Sequence, residues 1–326
     1  MSSPRLGIAL GSGSARGWAH IGALEALLAR GLTPAVLAGA SVGALVGGAC
    51  AAGRLAELGH WVRSLTQREV WRLVDATFRG GGMMNGNRLM DAISLQIGDP
   101  DIESLPVGFA AVAADLYTGE EIWIRKGPLM SAVRASSGLP GLFAPTYFQG
   151  RWLIDGGVVN PVPVSLCRAM GADVVIAIDL SRSVTRLARR VQGNSARKAP
   201  DADSDSPDRE PETSAEIAAI LKRWYGLVDG LVESFRSHRS EPGLFEAMSS
   251  SVNIMQDRIT RSRLASDPPD LVLRPDLADF QLMDFHRAEE AIELGRACVE
   301  AVAPQLEPVL QALDATSNRP DALAAG

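Results

Sequence analysis

Ser41 stands in Gly39-Ala40-Ser41-Val42-Gly43, between an apolar run and a stretch of helical pattern. A nucleophilic serine at such a junction sits on a strained strand-to-helix turn whose neighbours have no room for bulky side chains, and the flanking glycines meet that need. The same pattern also makes a plain packing turn, so the rest of the chain must decide. Gly11-Ser12-Gly13-Ser14-Ala15-Arg16-Gly17 is a run of small residues that opens a helix. Several backbone N–H groups can converge there on one anion and form an oxyanion hole. Arg16 either orients this loop through backbone carbonyls or remains a solvated residue at a helix start. Asp155-Gly156-Gly157 follows the apolar stretch Trp152 to Ile154 and holds a carboxylate with room beside it. That suits a general base; a turn aspartate capping its own backbone has the same local sequence.

Other chemistries fit less well. Counted from Gly11 and Gly13, the third glycine of a dinucleotide fingerprint falls on Arg16, and no Asp or Glu follows the second strand to meet a ribose hydroxyl. His20, His60, His238 and His286 lie in helical stretches or beside a helix start, where core or surface roles are the common ones, so a Ser-His-Asp triad is poorly supported. Cys50, Cys167 and Cys298 are far apart with no CxxC pair, which argues against a zinc knuckle or a disulfide framework and for a reducing, cytoplasmic compartment.

These groups need elements to position them. Arg5 to Leu10 reads as a strand, and Ala19, Ile21, Ala23, Leu24, Leu27 and Leu28 as a helix closed by Gly31. Pro34 to Ala38 is a second strand that enters a sharp turn over Gly39 to Gly43. A βαβα opening predicts a parallel sheet covered on both faces. Arg54 to Ile97 reads as helices broken at Gly80-Gly81-Gly82, suited to a lid or flank, and Val107 to Ala114 with Glu121 to Arg125 as a hairpin-like pair. A helix over Ser131 to Ser137 stops at Gly138-Leu139-Pro140-Gly141; Arg151 to Ile154 is a strand, Val164 to Met170 a helix, and Val174 to Leu180 the strand expected to end the core sheet. Gln192 to Ser214, rich in Asp, Ser, Pro, Glu and Arg, reads as a disordered linker. Beyond it, Ala215 to Phe235 and Glu246 to Leu264 read as helices and Asp270 to Arg274 as a strand. Asp284 to Leu313 reads as a long helix, N-capped by Asp284 and interrupted near Pro304.

With 32 Lys+Arg against 38 Asp+Glu, the net charge of −6 argues against a nucleic-acid binder. At 46% hydrophobic and 21% charged, the 326 residues can bury a sizeable core as one large α/β domain or two ordinary ones. The apolar run Leu6 to Leu10 is too short for a secretory signal. Ala35 to Gly53 is uncharged and long enough to score as a membrane span, but Gly39, Gly43, Gly47, Gly48 and Gly53 among only two Leu and three Val read instead as strand, turn and small-residue helix.

Taken in order, Gly11 to Gly17, Gly39 to Gly43 and Asp155 to Gly157 resemble the three motifs of the patatin-like phospholipases, in particular bacterial stand-alone members. The segment Ala135-Ser136-Ser137-Gly138-Leu139-Pro140-Gly141-Leu142-Phe143-Ala144-Pro145 is similar to the one that family places before its base motif. The resemblance implies a three-layer α/β sandwich with a mainly parallel central sheet plus C-terminal helices. It covers a catalytic core over 5–180; composition adds a disordered acidic linker over 192–214, and periodicity a mainly helical part over 215–315 that completes the fold. Ser41 becomes the nucleophile and Asp155 its base in a Ser-Asp dyad. Gly13 and Ser14 become the oxyanion donors within the loop of Gly11, Arg16 and Gly17; Gly39 and Gly43 flank the elbow, and Gly156 and Gly157 complete the base motif. Ser12 and Ser14 depart from the family's run of glycines, although a serine N–H donates equally. The implied activity is hydrolysis of a lipid or acyl ester with no metal or organic cofactor. Peripheral membrane contact through Trp71, Met83, Met84 and Phe143 is a further expectation. An ordinary α/β-hydrolase would show more strands before its serine and a late histidine. The rival reading is a non-catalytic regulatory or adaptor protein on the same fold, against which the intact Ser41 and Asp155 weigh.

Overall fold

The computed structural model of the chain describes residues 4–73, 75, 82–181 and 244–314. The expected linker Gln192 to Ser214 and the helix over Ala215 to Phe235 lie outside the described residues. Those of Met1–Arg182 and Met255–Gly326 form one compact unit.

In chain order the elements are β1 (Leu6–Leu10), α1 (Ala19–Ala29), β2 (Val36–Ala40), α2 (Val42–Ala51), α3 (Leu55–Ser64), α4 (Gln67–Leu73), β3 (Gly82–Met84) and α5 (Asn87–Ile97). There follow β4 (Gly108–Asp115), β5 (Glu121–Ile124), α6 (Leu129–Ser136), β6 (Gly141–Phe143), β7 (Thr146–Phe148), β8 (Arg151–Asp155), α7 (Val164–Ala169) and β9 (Val174–Ile178). The C-terminal elements are α8 (Leu244–Ser266), β10 (Leu271–Leu273), α9 (Ala288–Ala301) and α10 (Ala303–Asp314).

Five strands run parallel in the order β10-β9-β1-β2-β4, and β5, β8 and β7 extend the sheet antiparallel beyond β4. The architecture is α/β with a mainly parallel sheet between helical layers. Alternation along β1 shows why. Leu6, Ile8 and Leu10 enter the large core shared with α1, α2, α3 and α9, while Ala9 faces the smaller core under α7. Gly7 lies on that thin face, where a Cβ would come within 2.6 Å of Ala172 Cβ.

The register around β4 places two strand ends together. At Val112, β4 pairs with Ala40 of β2 on one edge and Trp123 of β5 on the other; at Ala113 it pairs with β5 and with Asp155 of β8. A strand has only two edges, so β2 and β8 share one and meet head-on, their last residues opposite consecutive residues of β4.

Several expectations need correction. The turn over Gly39 to Gly43 shrinks to Ser41 alone, because Gly39 belongs to β2 and Gly43 to the first turn of α2. Gly82–Met84, which takes in the last glycine of the expected break and the start of the helix expected after it, is instead a strand that pairs in parallel with β6. Val174 to Leu180 does not end the sheet, since β10 adds to β9. The last long helix breaks at Val302, and Asp284 does not cap it: the carboxylate accepts from the Gln281 N–H at 2.9 Å and from Arg287. Residues 35–53 form β2, the elbow and α2 with its flanking turn, and no helix among the described residues is long and apolar enough to cross a membrane.

Helices α1 and α9 cross backbone to backbone. A Cβ on Gly22 would fall 1.8 Å from the Ile292 carbonyl oxygen, and one on Gly295 1.9 Å from that of Ala19. Gly295→Ala must therefore part the two helices, and the unfolding free energy is expected to fall by about 1–3 kcal/mol in urea titration. A change within a few tenths would show that this crossing is loosely packed.

Candidate functional site

Ser41 links β2 directly to α2 at φ 57° and ψ −124°, a conformation costing a non-glycine residue on the order of 1–3 kcal/mol. A Cβ on Gly39 would lie 2.3 Å from the Gly43 carbonyl oxygen, and one on Gly43 2.2 Å from that of Leu10, so both elbow glycines are dictated by space. The turn is held from outside. The Ser41 N–H donates to Ser136 Oγ at 2.8 Å, and that hydroxyl donates to the Val112 carbonyl at 2.5 Å. Ser136 is fully buried at the end of α6 and thereby ties the elbow to β4 where β2 and β8 meet. Ser41 caps α2, whose N-terminal dipole favours negative charge beside it.

Asp155 ends β8 and is buried. The Gly157 N–H donates to its Oδ1 at 2.7 Å, and the carboxyl closes β8 one register step along β4 from the end of β2, which delivers Ser41. The residue thus caps its own turn and also faces the serine. Burial raises its pKa from 3.8 to about 6, against the opposing pull of the nearby Ser41 hydroxyl and the Gly157 N–H. Gly156 is required, because a Cβ there would sit 2.1 Å from the Val112 carbonyl oxygen.

The small-residue loop packs on the elbow helix: a Cβ on Gly17 would lie 2.0 Å from Val42 Cγ2. Its backbone is pinned at most points. The Gly11 N–H donates to Ile178 at 3.0 Å, that of Ser12 to Pro161 at 2.9 Å and that of Ala15 to Leu282 at 3.3 Å. The Ser14 hydroxyl donates to the Leu282 carbonyl at 2.7 Å, with Ser14 at φ 50°. Arg16 is buried and its Nε donates to the Gly13 carbonyl at 3.1 Å, the anchoring alternative of the two. The N–H groups of Gly13 and Ser14 have no acceptor among the described residues.

Three residues beyond those motifs complete the arrangement. His20, fully buried in α1, places Nε2 2.7 Å from the Gly11 carbonyl; burial lowers its pKa to about 4, so near neutral pH it is uncharged with the proton on Nε2. It holds the loop and makes no hydrogen bond to Ser41 or Asp155 among the described residues. Ser136 lies within a motif read from the sequence, but its contact spans 95 residues and has no local signal. Gln256 comes from α8, with Nε2 against Gly157. His60 and His286 are exposed, His238 lies outside the described residues, and among the described residues no cluster of three His, Cys, Asp or Glu could hold a metal. Of the residues expected at a membrane, Trp71 is exposed, Met84 is buried, and Phe143 is half-buried beneath the Arg134 guanidinium; the Met83 side chain lies outside the description.

Two outcomes are expected from urea titration. Ser136→Ala strands the Ser41 N–H and the Val112 carbonyl and lowers stability by about 1–3 kcal/mol, while Ser137→Ala stays within about 0.5 kcal/mol. Ionising Asp155 works against folding, because its folded pKa lies above the unfolded one; its contribution is full below pH 3.8 and is lost as pH rises through about 6. Asp155→Asn is therefore expected to be more stable than wild type at pH 8, the difference closing toward pH 4. An unchanging difference would place the carboxyl in a wetter setting.

Comparison with known proteins agrees with this arrangement. The family model described as patatin-like phospholipase matches residues 8–168, a stretch that contains the loop, the elbow and Asp155. Uncharacterized NTE family proteins of Mycobacterium bovis and Mycobacterium tuberculosis are each 36% identical, the match covering 91% of this chain and 90% of theirs. A lysophospholipase of Emericella nidulans is 25% identical over 90% of this chain and 18% of its own length.

Proposed function

The chain belongs to the patatin-like phospholipase family, and from that premise we propose that it is a serine lipid acyl hydrolase working through a Ser41–Asp155 dyad. The observation that carries the reading is the strand junction on β4, where Ser41 follows the last residue of β2 and Asp155, a buried carboxyl whose pKa is raised to about 6, is the last residue of β8. A carboxylate poised there can take and return a proton near neutral pH, the work a histidine performs in a triad.

In this reading Ser41 Oγ attacks the ester carbonyl carbon and its proton passes to Asp155. The tetrahedral oxyanion is met by the N–H groups of Gly13 and Ser14 and by the positive end of α2. Collapse expels the alcohol, which takes the proton from Asp155, and leaves an acyl ester on Ser41. Water then attacks that ester and gives its proton to Asp155; the serine leaves with that proton, and the carboxylic acid departs. The substrate class is a glycerophospholipid, lysophospholipid or neutral acyl ester, consistent with a relative named as a lysophospholipase.

The test is fluorophosphonate labelling together with hydrolysis of a medium-chain p-nitrophenyl ester. Wild type is expected to label and turn over, Ser41→Ala to do neither, and Asp155→Asn to lose at least about 10³-fold in kcat. Because the base must be ionised, kcat/KM is expected to fall about tenfold per pH unit below pH 6 and to level off above it. A silent wild type, or full activity in Ser41→Ala, would hand the lead to the adaptor reading.

A further inference from the structure

Beside Gly157 the polar ends of three side chains from distant parts of the chain converge. A Cβ on that glycine would lie 2.5 Å from Gln256 Nε2, 2.7 Å from Ser12 Oγ and 2.9 Å from Asp155 Oδ1. Thus an amide, a hydroxyl and the carboxylate oxygen that receives the Gly157 N–H all border one small region beside the base. Neither the Gln256 amide nor the Ser12 hydroxyl has a hydrogen-bond partner among the described residues. Gln256 is half-buried on α8, outside the stretch matched by the family model, and Ser12 is one of the two serines where the resemblance would place glycine.

The point they border lies 2.9 Å from Asp155 Oδ1, close enough for a molecule of water there to pass a proton to the carboxylate, with a donor for the water oxygen and an acceptor for its spare hydrogen on either side. We infer that Gln256, with Ser12, is a positioning residue for the deacylating water, so that the C-terminal helix completes the second half-reaction. The inference rests on the Ser41–Asp155 reading. In the step it assigns, the water oxygen bonds to the acyl carbon while one water proton moves to Asp155. The bond from carbon to Ser41 Oγ then breaks, and Asp155 returns that proton to the serine. Orienting one reactant is worth up to about 100-fold when lost.

The experiment follows p-nitrophenol release from the full-length protein by stopped flow, with intact-mass detection of acylated enzyme, for wild type, Gln256→Ala and Gly157→Ala. Gln256→Ala is expected to release a burst near one equivalent at a rate within about threefold of wild type, then to turn over 10- to 100-fold more slowly with the acyl-enzyme accumulating. Hydroxylamine, a nucleophile needing less orientation, should restore turnover. Gly157→Ala pushes a methyl group against the amide and is expected to slow the same phase. Gln256→Glu sets a second carboxylate beside Asp155 and should move the pH midpoint upward. Burst and steady-state rates falling together would reduce Gln256 to a structural prop and overturn the inference, as would a Gln256→Ala variant indistinguishable from wild type. A wild type that forms no acyl-enzyme and hydrolyses no ester overturns the dyad reading itself, an outcome visible before any Gln256 variant is tested.

Discussion

The site depends on one edge of β4. β2 and β8 run in opposite directions along that edge, so both must end where they meet; Ala40 opposite Val112 and Asp155 opposite Ala113 mark the junction. Backbone pairing thereby brings a serine and a carboxylate together without long side chains or a flexible loop. Where β2 turns away, the Val112 carbonyl takes its hydrogen bond from Ser136, which in turn receives the elbow's N–H. A buried backbone group that must be satisfied becomes the peg on which the strained serine hangs.

That junction is buried, and burial has two opposed effects. It disfavours the charged form of Asp155 and so destabilises the fold at neutral pH, while moving the carboxyl into the range where the proposed proton transfer operates. The same burial keeps His20 uncharged, which suits a residue whose task is to hold the Gly11 carbonyl. One physical cause thus tunes a base upward and an anchor downward in pKa, because desolvation always opposes the charged form.

Glycines at the site mark collisions more often than flexibility. Gly17 lies against the Val42 side chain, Gly43 against the Leu10 carbonyl and Gly156 against the Val112 carbonyl, so the small-residue loop presses on α2, α2 on the end of β1, and the Asp-Gly-Gly segment on β4. Gly22 and Gly295 do the same between α1 and α9, bringing a C-terminal helix onto the helix that follows the loop. The proximity of Gln256 to Gly157 belongs to the same pattern of close packing between early and late parts of the chain.

The βαβα succession from Arg5 to the helix after Ser41, the spacing of glycines around Ser41 and the Asp-Gly-Gly after an apolar strand made the α/β class, the strained turn at Ser41 and the turn at Asp155 legible in the amino-acid sequence, because each depends on neighbours within a few residues. Short strands were not legible: Gly82–Met84 and Gly141–Phe143 each carry too few residues for a periodic signal and exist only because they pair with each other. Nor were the roles of Ser136, His20 and Gln256, whose partners are set by strand register and helix packing across the chain. The sequence by itself determined which chemical groups are present and which backbone turns can hold them. Only the tertiary structure decided that β2 and β8 share an edge, that Asp155 is buried, and that the N–H groups of Gly13 and Ser14 meet no acceptor among the described residues, because each is a property of contacts between segments far apart in the chain.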